Sequence, residues 1–264
     1  MKIQLKKTRK SLLLAAGFMF VHAASLAATV VVTPSSPLWS NPAGENSGAG
    51  SSVITATIPY AGNGSLEMTG NRTRFVGLGN FYSPASNLGL LDTVRALTYD
   101  WAIAAGSTAL LNADYTPALR LHIFDGAQRS ELIWEGAYNN TYGNTTKGQF
   151  YTSGVNDNFY RFVSNGPGVT FSDGSQVNQS IADWAAGTTW YSDAAYVSAI
   201  SVGVGSSAGN QYRAFADNVT LDINDVSTTY NFEATAAAVP EPANIALLGL
   251  GLFGLAAFRR KSTK

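Results

Sequence analysis

The sequence predicts an all-β fold, a single antiparallel β-sandwich, with a segment at each end that lies outside it. Many short runs rich in β-branched and aromatic residues fill the central part of the chain. Clusters of Gly, Asn, Asp and Ser separate these runs and favour turns. Helical patterning is confined to one short segment, residues 180–186. Regularly spaced strands with almost no helix are typical of a sandwich.

The first segment outside the predicted domain is the N-terminus. Five cations and no acid lie within the first ten residues, and residues 11–21 are almost purely apolar. Ser25 and Ala27 then supply the two small residues of a cleavage site. This layout predicts a signal peptide, residues 1–27, that is cleaved after Ala27. A membrane anchor is the alternative, but the apolar run is shorter than the ~20 residues that a span needs.

The predicted domain covers residues 28–232. Alternation with a period of two is clear in residues 118–124, where aliphatic residues alternate with Arg120 and His122. Trp101 and Trp134 are expected in the core. The ten predicted strands are residues 29–33, 53–58, 73–77, 95–102, 118–124, 131–138, 158–163, 196–204, 211–223 and 228–232.

Three shorter segments complete the domain organisation. Ser180 with Asp183 three residues later predicts the N-terminus of a short helix. Residues 34–52 are rich in Pro, Gly and Ser and are interpreted as a long loop. Residues 233–239 contain mostly small residues without a pattern, which predicts a linker that a processing enzyme can reach.

The C-terminal tail, residues 240–264, has three parts. A Pro-Glu-Pro triplet precedes a glycine-rich apolar stretch, about residues 243–258, and cations follow it. The stretch predicts a transmembrane helix, and the cations behind it place the body outside the cytoplasm. The residues of this pattern are Pro240, Glu241, Pro242, Arg259, Arg260 and Lys261.

These residues resemble the PEP-CTERM sorting signal of Gram-negative bacteria over about the last 25 residues. The resemblance implies recognition by an exosortase, a membrane enzyme that removes the tail near the Pro-Glu-Pro triplet. It also implies a host that produces exopolysaccharide or forms biofilms. The N-terminal segment has no Arg-Arg pair, which favours the general export machinery as a partner over the twin-arginine route. The body would face the periplasm at the inner membrane during sorting and then reach the cell surface or extracellular matrix.

A second resemblance concerns the last strands of the body. Residues 213–223, with the glycine-containing segment 201–207 before them, resemble the terminal strands of secreted carbohydrate-binding or concanavalin-like jelly rolls. This resemblance implies a jelly-roll-like sandwich. Because one fold hosts many functions, it says little about a ligand.

Composition and charge exclude several classes of function. The 264 residues include 17 Lys+Arg, 17 Asp+Glu and no cysteine. Zero net charge argues against nucleic-acid binding, and the lack of cysteine excludes disulfides, zinc ribbons and thiolate nucleophiles. Nine cations lie in the terminal segments, so residues 28–239 keep eight cations against sixteen acids, a net charge of −8. This charge makes anionic surfaces poor partners and leaves a neutral glycan or a cation-bridged matrix open.

No catalytic residue is predicted, because the sequence assembles no catalytic set. His122 is the only histidine of the body and is expected to be an ordinary strand residue beside Arg120, with no nucleophile-elbow motif in the chain. Glu131 and Glu135 would lie ~13 Å apart along a strand, whereas the carboxyl groups of glycosidases are ~5–9.5 Å apart. Both glutamates are expected on a solvated strand face.

Two groups of residues are candidate binding sites. Asp217, Asn218, Asp222 and Asp225 could supply oxygen ligands for a structural Ca²⁺, although the spacing of an EF-hand loop is absent. No other cofactor is predicted. Trp190-Tyr191 lies among loop residues, and exposed aromatic rings suit the apolar faces of sugars.

The sequence therefore predicts an exported, exosortase-sorted surface or matrix protein with a structural or adhesive body that binds polysaccharide. A polysaccharide-active hydrolase of the sandwich type is one alternative, which requires carboxylates brought together from different strands. A passive cargo domain without a ligand is another.

Overall fold

The computed structural model describes residues 27–164, 177–186, 189–206 and 208–236. This part of the chain is mostly β and forms two sheets, an arrangement compatible with the predicted sandwich. The predicted signal peptide and transmembrane helix lie outside the described residues. Within them, no helix has both the length and the apolar character that a membrane crossing requires.

The first sheet has seven strands. Its longest strand, β14, pairs with β7 on one side and with two strands in succession, β4 and then β15, on the other. All pairs in this sheet are antiparallel except β1 with β15, which is parallel and therefore departs from the predicted antiparallel pattern. The strands are β1 (Ala28–Val32), β3 (Ser51–Thr55), β4 (Ser65–Thr69), β7 (Val94–Ile103), β10 (Phe150–Thr152), β14 (Arg213–Ile223) and β15 (Val226–Phe232).

The second sheet has eight strands in the order β12-β11-β9-β8-β13-β5-β2, with β6 paired to β13. A two-residue turn at Gly126-Ala127 joins β8 to β9, and Gly126 has the positive φ of 59° that such a turn requires. The strands are β2 (Trp39–Ser40), β5 (Thr73–Gly77), β6 (Gly89–Leu90), β8 (Ala118–Asp125), β9 (Gln128–Trp134), β11 (Phe159–Ser164), β12 (Asn178–Gln179) and β13 (Tyr196–Val204).

The main hydrophobic core combines residues of both sheets. Trp101 of the first sheet and Trp134 of the second are each 1% exposed, which confirms the prediction that both lie in the core. Their ring centroids are 5.8 Å apart. Burial of aromatic and aliphatic area between the two sheets supplies the main driving force for this fold.

The predicted short helix is confirmed as α1 (Ile181–Ala186). The Ser180 hydroxyl accepts a hydrogen bond from the Asp183 amide at 3.2 Å and donates to the Asp183 carboxylate at 2.6 Å. These reciprocal bonds satisfy the start of the helix. Trp184 then points inward and donates from Nε1 to the carbonyl of Phe159 at 2.8 Å.

Several boundaries differ from the sequence-based predictions. The predicted strand 131–138 ends at Trp134, because a 3-10 turn (Gly136–Asn139) follows it. The predicted long loop 34–52 contains β2, whose Trp39 is only 4% exposed. The contacts of the body also extend into the predicted linker, since the Glu233 amide donates to the carbonyl of Val32 at 2.9 Å.

Candidate functional site

A cavity of about 510 Å³ lies on the face of the second sheet that points away from the core. Strands supply its floor, and the loop that follows β5 and the loop that precedes β3 supply part of its wall. Half of the eight cations of the body line it. We call it the arginine cleft and define it by its charged residues, Arg72, Arg74, Arg120, Arg129, Glu45, Glu131 and Glu135, and its rings, Phe81, Tyr82, Tyr115, Tyr160 and Phe162.

Strand register brings the charged residues of the floor together. The Gly126-Ala127 turn pairs β8 with β9 so that His122 lies opposite Glu131. On the other side of β8, β13 pairs Ser201 with Arg120 and Gly203 with Arg74 of β5. Because alternate residues of a strand share one face, these side chains point to the same side of the sheet.

Glu131 is the centre of a buried ionic cluster. Its side chain is 1% exposed, and Oε1 accepts hydrogen bonds from Arg74 Nη1 at 2.7 Å and Arg129 Nη1 at 3.1 Å. Arg120 Nε lies 3.7 Å from Oε2. Burial alone would raise the pKa of Glu131, but Arg74, His122 and Arg120 outweigh burial and hold this pKa well below its usual range. Glu131 is therefore ionised, and the prediction that it lies on a solvated face is wrong.

His122 lies below this cluster and is fully buried. Its Nε2 is 2.8 Å from the Ser201 hydroxyl, and its Nδ1 is 3.6 Å from Glu131 Oε1. Burial lowers the pKa of His122 to about 3, although the charge of Glu131 opposes this effect. The imidazole is neutral at pH 7, and its ring packs 4.7 Å from that of Phe81. These contacts describe a structural residue beneath the floor of the cleft.

The rim of the cleft combines aromatic rings with a guanidinium group. Tyr82 is 55% exposed, and its ring lies 4.1 Å from that of the buried Phe81. The guanidinium of Arg129 lies over both rings, 5.0 Å from the centroid of Tyr82 and 5.4 Å from that of Phe81. The Tyr82 hydroxyl donates to the carboxylate of Glu45. An exposed ring held on a buried ring is a rigid platform for an apolar ligand face.

Glu135 lines another part of the same cleft. Its Oε1 accepts a hydrogen bond from the Tyr160 hydroxyl at 3.1 Å. The side chain of Glu135 is partly buried, and burial raises its pKa although Arg120 opposes this shift, so this glutamate is less solvated than predicted. The two glutamates remain four residues apart in extended backbone, ~13 Å by strand rise, which is longer than the separation used by glycosidases.

The four calcium candidates do not come together in the structure. Asp217 is fully buried and accepts amide hydrogen bonds from Phe232 at 2.8 Å and Asn218 at 2.7 Å, where the partner of β14 changes from β4 to β15. Asp222 lies five residues further along β14, ~17 Å by strand rise, and Asp225 occupies the exposed turn that follows. Among the described residues, no three acidic or histidine side chains form a group that could hold a metal ion.

The two candidate sugar contacts, Trp190 and Tyr191, do not line the cleft, and they differ in exposure. Tyr191 is 3% exposed, and its hydroxyl is 2.9 Å from that of Ser130. Trp190 is partly buried and packs edge-on against Trp184 at 5.5 Å. The guanidinium of Arg161 lies 4.9 Å from the Tyr191 ring and 5.7 Å from the Trp190 ring. The expectation of an exposed ring at Tyr191 is wrong, because packing under Arg161 covers it.

Sequence reasoning missed the arginine cleft. One signal pointed to it: Arg74 and Arg120 each lie in a strand whose other residues are mostly apolar, and Glu131 directly precedes the apolar run at the end of β9. A charged residue in such a strand indicates either an exposed face or a buried group with partners. The sequence does not show that loops cover this face, so sequence reasoning alone favours an exposed face.

The sorting residues Pro240, Glu241, Pro242, Arg259, Arg260 and Lys261 lie outside the described residues. A family model described as the PEP-CTERM protein-sorting motif matches residues 238–261, which contain all six of them. No curated protein matches the chain. The motif supports an exported protein that an exosortase processes and that is sorted at the cell envelope.

Proposed function

Starting from a chain that carries an exosortase sorting motif, we propose that its body is a structural or adhesive component of the cell surface or extracellular matrix of a Gram-negative bacterium. The body binds polysaccharide through the arginine cleft. We infer a jelly-roll-like sandwich, because both sheets share one core and the first and last strands, β1 and β15, are neighbours. A signal peptide would direct export of the body across the inner membrane. A transmembrane helix at residues 243–258 would hold the protein at this membrane during sorting.

The observation that carries this proposal is the composition of the cleft. Its volume of about 510 Å³ lies within the range of roughly 300–1,000 Å³ that is usual for ligand sites. Sugars combine apolar C–H faces with hydroxyl edges, and the cleft offers aromatic rings beside guanidinium and carboxylate groups. Tyr82 supplies the ring that a sugar can reach, since it is 55% exposed, whereas Phe81 beneath it is only 1% exposed.

The test is retention of the full-length protein, expressed in the host that produces it, on the exopolysaccharide of that host. Tyr82→Ala removes the exposed ring and should weaken retention about tenfold, the effect of losing ~1.4 kcal/mol of ring stacking. Tyr60→Ala is the matched control. Tyr60 is also an exposed tyrosine, 45%, stacked on a phenylalanine, Phe150, but on the other sheet.

Each outcome separates the candidate functions. Retention by the wild type and by Tyr60→Ala, with loss in Tyr82→Ala, supports binding in the cleft. Equal loss in both variants would remove the cleft from the proposal. Release of shorter saccharides would favour the hydrolase, and passage of the wild type without retention would favour the passive cargo domain.

A further inference from the structure

Arg120 is the most unusual side chain of the arginine cleft. It lies on β8, between β9 and β13, and only 4% of its surface is exposed. In the part of the chain that the structure describes, its Nε and Nη1 have no hydrogen-bond partner. A buried polar group without a partner destabilises the folded protein, and a charged one does so more strongly. Arg120 nevertheless lines a cavity large enough for a ligand.

Glu45, Glu131 and Glu135 line the same cleft as Arg120, and these acids do not balance its charge. Glu135 accepts a hydrogen bond from the Tyr160 hydroxyl at 3.1 Å, and burial raises its pKa, which disfavours its charged form. Glu131 is shared by three arginines, because Arg74 and Arg129 both bind its Oε1, and Arg120 approaches Oε2 only to 3.7 Å. Glu45 makes its ion pair with Arg74, at 3.1 Å. The pKa of Arg120 is lowered by burial and then by the charge of Arg74, as expected for a cation in a region with excess positive charge.

A fourth arginine adds to this excess. Arg72 donates to the backbone carbonyls of Gly44 at 2.9 Å and Glu45 at 3.2 Å. Both acceptors are neutral, so the charge of Arg72 is not cancelled by these bonds. The positive charge of the cleft contrasts with the net charge of −8 over residues 28–239, eight cations against sixteen acids.

We propose that the arginine cleft binds a carboxylate-bearing polysaccharide, a polymer of hexuronic acids, with the uronate carboxylate on the guanidinium of Arg120. This inference rests on the proposed polysaccharide binding and names the class of ligand. A carboxylate matches the planar fork of a guanidinium and can take two parallel hydrogen bonds from it. The aromatic rim at Tyr82 and Phe81 faces the same cavity and suits the C–H face of a sugar ring.

The overall charge of the body favours a different class of glycan from the one proposed for the cleft. A body with a net charge of −8 favours neutral glycans at long range. A buried arginine acts at short range, where little water screens it. The cleft would therefore select acidic sugars in spite of the acidic surface around it.

The experiment is calorimetric titration of the full-length protein with tetramers of galacturonic, mannuronic and glucuronic acid. Each tetramer is paired with its carboxyl-reduced counterpart, which keeps the backbone and replaces the carboxylate with a neutral hydroxymethyl group. We expect at least one uronate to bind ten times more tightly than its reduced form. Dextran sulfate, tested in parallel, should bind no better than the reduced sugars.

Variants locate the carboxylate. Arg120→Lys keeps the charge but loses the fork, and we expect it to bind the uronate about tenfold more weakly. Arg72→Gln removes one positive charge from the cleft at a partly exposed position. It tests the role of the excess positive charge even if the Arg120 variant fails to fold. Arg213→Gln is the control, because Arg213 pairs with Glu67 on the other sheet at 2.7 Å.

The outcomes distinguish this inference from the proposed function. Equal binding of uronate and reduced sugar would overturn the carboxylate assignment and leave polysaccharide binding in place. Equal binding of dextran sulfate would replace a carboxylate site with a general attraction for anions. Binding of none of these polymers, together with no retention on the exopolysaccharide of the host, would overturn both.

Discussion

The two faces of β8 are both buried, but they are buried in different ways. On the inner face, Leu119, Leu121 and Ile123 are fully buried against residues of the first sheet. On the outer face, Arg120 and His122 are 4% and 0% exposed below loops and the arginine cleft. One strand thus separates a hydrocarbon core from a buried ionic cluster.

The two faces of β8 contribute differently to the stability of the protein. Apolar burial stabilises a fold roughly in proportion to area and is insensitive to pH. Buried ion pairs often add little compared with apolar side chains of the same size, because removing charges from water offsets their attraction. Four arginines around a cavity therefore fit the proposed ligand site better than a role in stability. Substitutions on each face test this contrast.

The largest effect is expected on the outer face. Glu131→Gln keeps the shape of the side chain but leaves three guanidinium groups without their shared carboxylate. Breaking a buried ion pair in this way costs about 3–5 kcal/mol in the free energy of unfolding. Urea denaturation measures the change. Asp225→Asn removes a carboxylate from an exposed turn and should change stability by less than about 0.5 kcal/mol; equal effects of the two variants would contradict the buried cluster.

A somewhat smaller effect is expected on the inner face. Leu121→Ala leaves a cavity in the core and should cost about 3 kcal/mol, measured by the same urea denaturation. Because Leu121 does not line the cleft, ligand retention by the folded variant should stay at the level of the wild type. Leu110→Ala is the control, since Leu110 is 83% exposed and its loss should cost less than about 0.5 kcal/mol. A loss of retention in Leu121→Ala would show that the two faces are coupled.

The smallest effect concerns pH. Burial lowers the pKa of His122 from its ordinary value of 6.5 to about 3 in the folded protein, so between these two values the unfolded chain binds a proton and the folded chain does not. Stability should therefore fall as the pH drops below about 6.5, by at most about 1.4 kcal/mol per pH unit from this residue. Glu131, whose pKa is also lowered, adds to the loss only below its ordinary value of 4.5.

Denaturation curves of the wild type and of His122→Gln, compared between pH 7 and pH 4.5, isolate the contribution of the histidine. Burial raises the pKa of Asp217 to about 6 and also raises that of Glu135, so these two acids change stability in the opposite direction in this window, equally in both proteins. His122→Gln should flatten the pH dependence in this window, because glutamine does not titrate. An unchanged slope in the variant would mean that other groups account for the acid sensitivity of the outer face.

Much of the fold could be predicted because it depends on local patterns. Alternation in residues 118–124 gave the correct faces of β8, and Ser180 with Asp183 gave the start of α1. Five strands were missed. The strands β2, β6, β10 and β12 have only two or three residues, which carry no periodicity. The strand β4 has five residues, but the first four are all buried, so it lacks the alternation that predicts a strand. The parallel pairing of β1 with β15 joins opposite ends of the body, which local patterns do not encode.

The candidate site was less accessible to sequence reasoning. Asp217 and its neighbours form an acidic run that suggests calcium, yet the carboxylate of Asp217 accepts hydrogen bonds from the backbone amides of Ala61, in a distant loop, and of Phe232 in β15. Likewise, a loop position suggests that Tyr191 is exposed, yet Arg161 covers it. In both cases the contacting residue lies far away in the sequence, so the local sequence does not show which groups surround the side chain.

The sequence by itself determined the β-rich class of the body, its acidic charge and the sorting motif at residues 238–261. These features are local or additive, since a motif is read from adjacent residues and a net charge is a sum. Only the tertiary structure decided that Arg74, Arg120, Arg129 and Glu131 meet in one cleft. Their meeting depends on the register of β5, β13, β8 and β9 and on the loops that supply part of the wall of the cleft. Local patterns do not encode it, because these strands come from distant parts of the chain.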